Sequence, residues 1–426
     1  MLKVITGISL SISIILLLGG GIYFSIKLSF PQLQWKKLFR GFKTVDNTSI
    51  SPFKSLMVSL AARVGVGSLA GIALAIYIGG SGTIFWIWII GIITSVNAYC
   101  ESYLGVKYQE KDKKEYKGGP PYYIEKGLNN KKLAIIYAIL IIFAYILGFM
   151  TIQANTITVS LKDYLDPIII AIILSVISYL SIRKGLKEIV NITSKLVPIM
   201  GLIYIILSII IIIMNYHLLP DVLKNIIINA WNFKSFSSSF IPTFLIGVQR
   251  GIFSTEAGLG TGSIASSCTY TKDKVGLGLI QILGVYFTVF IVCTSTALII
   301  LTSKYQDIIF GNINGIELTQ YALNYHLGNI GSKILIILIL FLAYSTIVAG
   351  YYYGESSLRY LIKNIKAYQL KLLKILTVML LFIGSIVSSN IIWKIVDILV
   401  ILLAIFNMYS LLKLRKEIIF DYKKNK

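Results

Sequence analysis

Charged residues are scarce in this chain of 426 residues: they make up 14% of it, whereas hydrophobic residues make up 56%. This balance excludes a soluble globular domain and predicts a polytopic membrane protein. Histidine is also scarce. Only His217 and His326 are present, both near the ends of apolar segments. Two isolated histidines supply neither a zinc site nor a histidine-based catalytic dyad.

Cysteine is the third scarce residue, with Cys100, Cys268 and Cys293 far apart in apolar segments. Their spacing predicts small buried hydrophobes rather than a disulfide framework or metal ligands. No nucleophile–base pair, metal cluster or phosphate loop follows a predicted strand, so the sequence does not predict an enzyme or a cofactor.

Long apolar runs are what the sequence does contain. A bilayer-spanning helix needs roughly 20 apolar residues, and we count eleven runs of about this size. They cover residues 5–28, 53–79, 83–106, 133–161, 167–182, 195–215, 240–268, 276–302, 333–360, 372–388 and 391–412. The sequence therefore predicts an all-α membrane protein with about eleven transmembrane helices.

The net charge of +22 is distributed unevenly between alternate loops. Of the 40 Lys and Arg residues, 30 fall in one set of loops and 7 in the other. Cytoplasmic loops carry the positive excess, so we expect a plasma-membrane protein with its N-terminus outside and its C-terminus in the cytoplasm. Positive charge that follows the first run indicates a retained helix rather than a signal peptide. This pattern explains the charge without a nucleic-acid partner.

Two of the runs are interrupted by glycine at matching places. Residues 63–71 read RVGVGSLAG and residues 249–263 read QRGIFSTEAGLGTGS, with Arg250 and Glu256 inside the second. A charge at membrane depth costs about 2.5–3.5 kcal/mol even on lenient insertion scales. Irregular backbone at that depth survives only where protein buries it or it lines a wet cavity. Both segments therefore predict broken helices around a site.

Without the first helix, ten runs remain and divide into five plus five, each set opened by a broken helix. This arrangement is typical of a LeuT-like inverted-repeat transporter with one additional N-terminal helix. We expect an N-terminal helix and basic loop at 1–51, five-helix repeats at 52–215 and 216–412, and a basic cytoplasmic tail at 413–426.

The first break predicts a binding site built from backbone. The N–H groups of Val66 and Gly67 are candidates for binding a substrate carboxylate, because N–H groups at a helix start attract anions. The carbonyls of Ala61 and Val64 are candidates for a sodium ion, which prefers oxygen ligands. The alternative is that the glycines only allow close helix packing, although packing does not explain Arg250 and Glu256.

Polar residues in other runs have two interpretations each. Gln153 could bind substrate or make an interhelical hydrogen bond. Ser345 and Thr346 could complete the sodium site or bond to their own helix backbone. Asp397 and Glu101 could pair with Arg63 or Arg250, either as gates or as structural ion pairs. The sequence does not choose the partners.

The chain resembles the alanine/glycine:cation symporter family, the sodium:alanine symporters, from about residue 45 to 412. Six segments carry the resemblance in the same order: AARVGVGSLAGIALAI, GGSGTIFWIW, KGGPPYYIEKGL, GFMTIQANT, RGIFSTEAGLGTGSIA and STIVAGYYYGE. The resemblance implies a LeuT-like fold with eleven spans and uptake of alanine or glycine with sodium by alternating access. It also implies a substrate pocket that includes Val66, Gly67, Gly148, Gln153 and Phe253, with Thr346 towards the cation.

The chain departs from the family pattern at Val66, Ser68, Thr255 and Gly350. The family usually reads GTGN where residues 65–68 read GVGS, and SNEAG where residues 254–258 read STEAG. Gly350 stands where a pocket tryptophan is usual. We therefore add Ser68, Thr255 and Gly350 to the substrate-site candidates. Gly350 should enlarge the pocket unless neighbouring side chains fill the space.

The sequence thus predicts a secondary transporter that imports a small neutral amino acid, alanine or glycine, with sodium. The alternatives are a proton-coupled transporter, a transporter of larger neutral amino acids with the same fold, and a non-transporting amino-acid sensor. Nothing in the sequence indicates the oligomeric state.

Overall fold

The computed structural model describes residues 2–43, 50–112, 115–232, 240–309, 315–387 and 389–425. The protein is mostly helical. Its first half contains α1 (Leu2–Lys27), α2 (Trp35–Leu38), α3 (Pro52–Arg63), α4 (Ala70–Gly79), α5 (Thr83–Lys107), α6 (Pro120–Leu128), α7 (Lys131–Ile142), α8 (Met150–Leu161), α9 (Pro167–Ile182), α10 (Leu186–Met214) and α11 (Leu219–Ala230).

The second half continues with a similar helical series. It contains α12 (Ile241–Thr255), α13 (Thr261–Ser266), α14 (Lys274–Tyr286), α15 (Thr294–Leu301), α16 (Gln306–Ile309), α17 (Ile316–Leu327), α18 (Asn329–Leu361), α19 (Ala367–Ile386), α20 (Ser389–Lys413) and α21 (Arg415–Lys424). A π-helical turn, Phe143–Phe149, joins α7 to α8, and another, Phe287–Cys293, joins α14 to α15.

One small antiparallel hairpin departs from the all-α prediction. Strands β1 (Glu110–Asp112) and β2 (Glu115–Lys117) pair so that Glu110 lies opposite Lys117. The hairpin lies in the polar connection after α5, where opposite charges on facing positions favour strand pairing. It leaves the helical architecture unchanged.

Eight helices in the described part of the chain are long and apolar enough to cross a membrane. They are Ser9–Lys27, Thr83–Lys107, Lys131–Leu161, Leu186–Met214, Lys274–Leu301, Asn329–Leu361, Ala367–Ile386 and Ile392–Lys413. A ninth is formed by Pro52–Arg63 and Val66–Gly79, if this pair bent by 59° is counted as one span. Helix α9 is apolar but shorter, and the run 240–268 is divided between α12 and α13. The eleven-span prediction counts α9 and the run 240–268 as two further spans, and neither is among the nine helices or helix pairs that are long enough.

The outward faces of several helices are apolar. Ile172 on α9, Ile199 on α10 and Ile383 on α19 are each about half exposed, and many similar side chains accompany them. Such a belt of exposed aliphatic side chains belongs in lipid rather than in water. The fold therefore supports a membrane location.

The first predicted break is present between α3 and α4. Ser51 caps the start of α3 by accepting a hydrogen bond from the Lys54 N–H at 3.3 Å, and Pro52 occupies the first turn. The helix ends at Arg63. Gly65 then adopts an extended conformation, and a short 3-10 turn, Val66–Ser68, precedes α4.

The second predicted break lies between α12 and α13. Glu256, Gly258 and Gly260 all have positive φ, at 50°, 89° and 83°. Left-handed backbone is unfavourable for residues with a Cβ atom, so glycine is needed at two of these positions and Glu256 is held there by its contacts. Helix α12 packs against α4 and α5, while α18 packs against α3 and α8. Both breaks therefore lie in the interior of the bundle.

Candidate functional site

The two breaks contact each other. Ser254, near the end of α12, donates a hydrogen bond from Oγ to the Gly67 carbonyl at 3.4 Å. A Cβ atom added at Gly67 would lie only 2.4 Å from the ring of Phe253. This close approach explains the glycine, because any side chain would displace the ring. The structure thus brings Gly67 and Phe253, two of the predicted substrate residues, into direct contact.

Gln153 reaches the first break from α8. Its Oε1 accepts a hydrogen bond from the Val66 N–H at 3.0 Å. A Cβ atom at Gly65 would lie 2.4 Å from Thr346 Oγ1 and 3.1 Å from Gln153 Oε1. The structure therefore joins Val66, Gln153 and Thr346 around one glycine, and the interhelical interpretation of Gln153 holds in this conformation.

The predicted cation residues are only partly brought together. Thr346 Oγ1 lies 2.6 Å from the Ala61 carbonyl oxygen and 3.0 Å from the Leu342 carbonyl of its own helix. Ser345 donates instead to Leu342 O at 2.8 Å. The Val64 N–H closes α3 on the Leu60 carbonyl at 2.7 Å. Ala61 and Thr346 thus form an oxygen pair across two helices, and the Ser345 hydroxyl bonds within its own helix.

A stack of aromatic rings lies over the first break. The Phe253 ring is 4.9 Å from Phe149, nearly parallel to it, and 4.9 Å from Trp393. Phe149 in turn stacks on Tyr145 at 4.8 Å. Phe149, Tyr145 and Trp393 were not among the residues predicted from the sequence. Phe149 lies inside the motif GFMTIQANT and could have been found there, whereas Trp393 carries no local signal.

The remaining glycine candidates lie behind this stack. A Cβ atom at Gly148 would meet Val396 at 2.9 Å, so Gly148 allows close packing of the α7–α8 connection against α20. A Cβ atom at Gly350 would lie 3.2 Å from Tyr145 and 3.3 Å from Met150. These two side chains occupy the space beside Gly350. The structure therefore shows no enlarged space at Gly350.

Two hydroxyls at the departures from the family pattern bond to the local backbone. Ser68 donates from Oγ to the Gly65 carbonyl at 2.9 Å, which stabilises the 3-10 turn. Thr255 accepts from the Ala257 N–H at 3.3 Å and donates to the Ile252 carbonyl at 3.4 Å. Both side chains are buried and shape the breaks from within.

Arg250 pairs with Asp397, which selects one of the pairings that the sequence left open. Arg250 Nη2 lies 2.9 Å from Asp397 Oδ2, and the guanidinium lies over the Trp393 ring at 4.8 Å from its centroid. The arginine side chain is 5% exposed and the aspartate side chain 19%. This ion pair therefore lies directly beside the Phe253–Trp393 contact.

Arg63, the last residue of α3, lies close to two buried carboxylates, Glu101 and Glu256. Its Nη1 donates to the Gln281 carbonyl and to Gln281 Oε1, both at 3.3 Å. A Cβ atom at Gly262 would lie 2.5 Å from Arg63 Nη2 and 3.2 Å from Glu101 Oε1. Glycine at this position lets the arginine and Glu101 approach α13.

The two carboxylates hold the second break in its unwound shape. Glu101 Oε2 accepts from the N–H groups of Gly258 at 3.0 Å and Gly260 at 2.8 Å. Glu256 Oε2 accepts from the Tyr145 hydroxyl at 2.8 Å and from Thr261 at 2.9 Å. Glu101 therefore binds backbone donors of the break that would otherwise be buried without a partner. The sequence alone did not indicate this role.

The comparisons with known proteins agree on one family. The family model described as the sodium:alanine symporter family matches residues 1–426. The amino-acid carrier protein AlsT of Bacillus subtilis is 35% identical, over 92% of this chain and 84% of its own length. The sodium/alanine symporter AgcS of Methanococcus maripaludis is 33% identical, over 96% and 93%. The probable sodium/glutamine symporter GlnT of Bacillus subtilis is 36% identical, over 97% and 88%.

A solved structure shares the fold. A mutant of the manganese transporter of Eremococcus coleocola superposes with a TM-score of 0.52, covering 83% of this chain and 76% of that chain. The two sequences are 14% identical. At this identity the match shows a common fold and nothing about the cargo.

Proposed function

Because this chain belongs to the sodium:alanine symporter family, we propose that it imports a small neutral amino acid, alanine or glycine first, together with sodium. The chain is a membrane transporter and not an enzyme. One observation carries the proposal: a backbone donor, Val66 N–H, and an oxygen pair, Ala61 and Thr346, surround Gly65. A carboxylate and a cation could therefore bind side by side.

The carboxylate would bind at the start of α4. The Val66 N–H is aimed at an amide oxygen, Gln153 Oε1, at 3.0 Å, and a substrate carboxylate oxygen would accept the same hydrogen bond. The N-terminal end of a helix carries about half a positive elementary charge, which favours an anion there. Gln153 would then turn its amide to the substrate, which gives it the predicted binding role in the loaded state.

The cation would bind between Ala61 and Thr346. Both supply neutral oxygens, the ligand type that a hard cation prefers. When the Thr346 hydroxyl turns its proton away from Ala61, both oxygens can face the ion. A bound cation beside a bound carboxylate stabilises both, and this mutual stabilisation is the thermodynamic basis of coupling.

Two charged layers would close the site in turn. Arg250 and Asp397, next to Phe253 and Trp393, would form one layer, and Arg63 beside Glu101 would form the other. With the N-terminus outside, as the loop charges predict, the Arg250–Asp397 pair faces the extracellular side. Opening that side requires the ion pair and the aromatic contact to separate, whereas opening the cytoplasmic side requires Arg63 to move.

Uptake into proteoliposomes tests the proposal. We expect an inward sodium gradient to drive accumulation of labelled alanine or glycine, and choline in place of sodium to abolish it. Equal uptake in sodium and choline would refute sodium coupling. Failure of every neutral amino acid to compete would refute the substrate class.

A matched pair of threonine variants tests the cation residues. Thr346→Val removes the contact with Ala61 together with a bond to its own helix. Thr377→Val removes only an own-helix bond, to the Leu373 carbonyl at 2.8 Å. The sodium concentration for half-maximal uptake should rise at least about tenfold in the first variant, the effect of losing about 1.4 kcal/mol. It should stay unchanged in the second. Equal effects in both would remove Thr346 from the cation site.

A larger neutral substrate is the second candidate, favoured by the 36% identity to a protein named as a probable sodium/glutamine symporter. Competition by glutamine in the same assay separates the two. Stronger inhibition by glutamine than by alanine would select the larger substrate without changing the proposed mechanism.

A further inference from the structure

A large apolar groove lies away from the proposed site. The groove, of about 900 Å³, opens on the side of the bundle between α3, α10 and the segment from α14 through the π-helical turn. Leu56, Met57 and Leu60 of α3 line one wall, and Leu202 and Ile205 of α10 line another. The lining is almost wholly apolar, and Leu202 is more than half exposed.

The groove has the depth of one lipid leaflet. Trp35, Phe39 and Phe53 line the end that belongs to the loop 30–54, which the loop charges predict to be cytoplasmic, and we call this end the mouth. The far end of the groove reaches Ile205, which lies ten residues beyond Lys195 on α10. At 1.5 Å per residue this is about 15 Å, roughly half of the hydrocarbon core of a bilayer.

Four lysines are close in sequence to residues that line the groove. Lys36 and Lys37 lie between Trp35 and Phe39, Lys54 follows Phe53, and Lys195 precedes the groove residue Pro198 by one helical turn. Three of the four are exposed and Lys37 is half-buried. Among the residues that the structure describes, none of these four lysines has a carboxylate partner within 4.0 Å. Four lysines to which the described residues supply no carboxylate partner are therefore close in sequence to the lining of an apolar groove.

We propose that this groove binds one anionic phospholipid, with an acyl chain along α3 and α10 and the phosphate among Lys36, Lys37, Lys54 and Lys195. The apolar walls accommodate an acyl chain because their side chains are as apolar as the lipid tails around them. The lysines favour a negative headgroup, since each basic side chain near an anionic lipid surface contributes roughly a fivefold preference. A zwitterionic lipid would fill the groove but gain little from the lysines.

The position of the lipid links it to the broken helix. Leu60 lines the groove and immediately precedes Ala61, whose carbonyl contacts Thr346. A bound acyl chain would therefore rest against the half-helix that leads into the first break. Lipid binding itself does not depend on the proposed transport activity and can be measured without it.

Fluorescence quenching by brominated lipids tests the proposal, because Trp35 lies in the mouth of the groove and is 57% exposed. The purified chain is reconstituted in phosphatidylcholine that contains a fixed fraction of brominated phosphatidylglycerol or brominated phosphatidylcholine. We expect quenching of Trp35 at an about tenfold lower fraction of the anionic lipid, from one or two phosphate–lysine contacts. The Trp35→Phe variant should lose this difference.

A matched pair of charge variants tests the headgroup contacts. The rim variant carries Lys→Gln at Lys36, Lys37, Lys54 and Lys195. The control carries Lys→Gln at Lys131, Lys132, Lys363 and Lys371, all exposed and distant from the groove in sequence. Both lose four charges. The anionic preference should vanish in the rim variant and persist in the control.

Three results would overturn the proposal. These are equal quenching by the two brominated lipids in the wild-type chain, an unchanged preference in Trp35→Phe, or equal loss of preference in the rim variant and its control. The elution volume of each variant in size-exclusion chromatography verifies that it is folded. We expect the lysine variants to fold, because all eight lysines lie on the surface or are half-buried.

Discussion

Removal of one partner from the Arg250–Asp397 ion pair should destabilise the protein far more than removal of both. Asp397→Asn leaves the guanidinium of Arg250 buried, with the Trp393 ring and a neutral amide beside it. Arg250→Met leaves a carboxylate in the same place. The double variant Arg250→Met/Asp397→Leu leaves neither charge and fills the space with apolar atoms.

The magnitude follows from the burial of the pair. Its side chains are 5% and 19% exposed, and breaking a buried pair by removing one partner costs about 3–5 kcal/mol. Replacement of both charges by apolar groups is often neutral or stabilising. We therefore expect each single variant to lose several kcal/mol of unfolding free energy and the double variant to regain most of it.

The assay is unfolding of the purified protein in detergent, by heat or by titration with SDS, followed by fluorescence. The pair between Lys162 and Glu317 provides the control, because its side chains are 47% and 32% exposed. An exposed pair contributes about 0–1 kcal/mol, so Glu317→Gln should change stability little. Sodium-driven uptake should be low in all three Arg250 and Asp397 variants, including the stable double variant, because none can close the ion-pair layer.

Two results would refute this reasoning. If Asp397→Asn is no less stable than Glu317→Gln, the pair does not act as a buried pair. If the stable double variant transports as fast as the wild type, the charges are structural and do not form a gate.

Three further predictions follow from other contacts. Gly67→Ala should cost about 1–3 kcal/mol of stability by displacing the Phe253 ring, and Gly67→Ala/Phe253→Leu should regain part of it; no recovery would refute the steric explanation. Thr346→Ser, which keeps the hydroxyl, should retain sodium-dependent uptake, and loss as complete as in Thr346→Val would contradict a role for the oxygen. Burial raises the pKa of Asp421, but hydrogen bonds from Lys107 and Tyr103 outweigh burial, and the pKa lies below its usual value. This contribution to the docking of α21 is present above the usual aspartate pKa of about 4 and is lost as pH falls through the lowered value. Asp421→Asn should therefore increase trypsin cleavage of the tail at neutral pH, and unchanged cleavage would contradict the docking role.

The sequence by itself determined where the helices break. Charges and glycines inside apolar runs are costly unless protein buries them, so the pattern around Arg63 and Arg250 predicted both interruptions within a few residues. Hydropathy likewise predicted the membrane class. These features depend on local composition, which is why they are readable from one chain. The eleven-span count remains a prediction, because α9 and the divided run 240–268 are too short to count as spans by length. The orientation also remains a prediction, since it rests on the loop charges alone.

The tertiary structure decided which side chains meet. Nothing in the sequence pairs Arg250 with Asp397 rather than with Glu101, since both carboxylates lie far away in the chain and either could neutralise the charge. The structure also decided that Tyr145 and Met150 occupy the space beside Gly350. Such contacts depend on how helices from the two halves of the chain pack. That packing depends on the complementary shapes of helix surfaces, which a single sequence does not display. The sequence therefore located both helix breaks along the chain, and the fold determined which side chains contact them and which carboxylate pairs with Arg250.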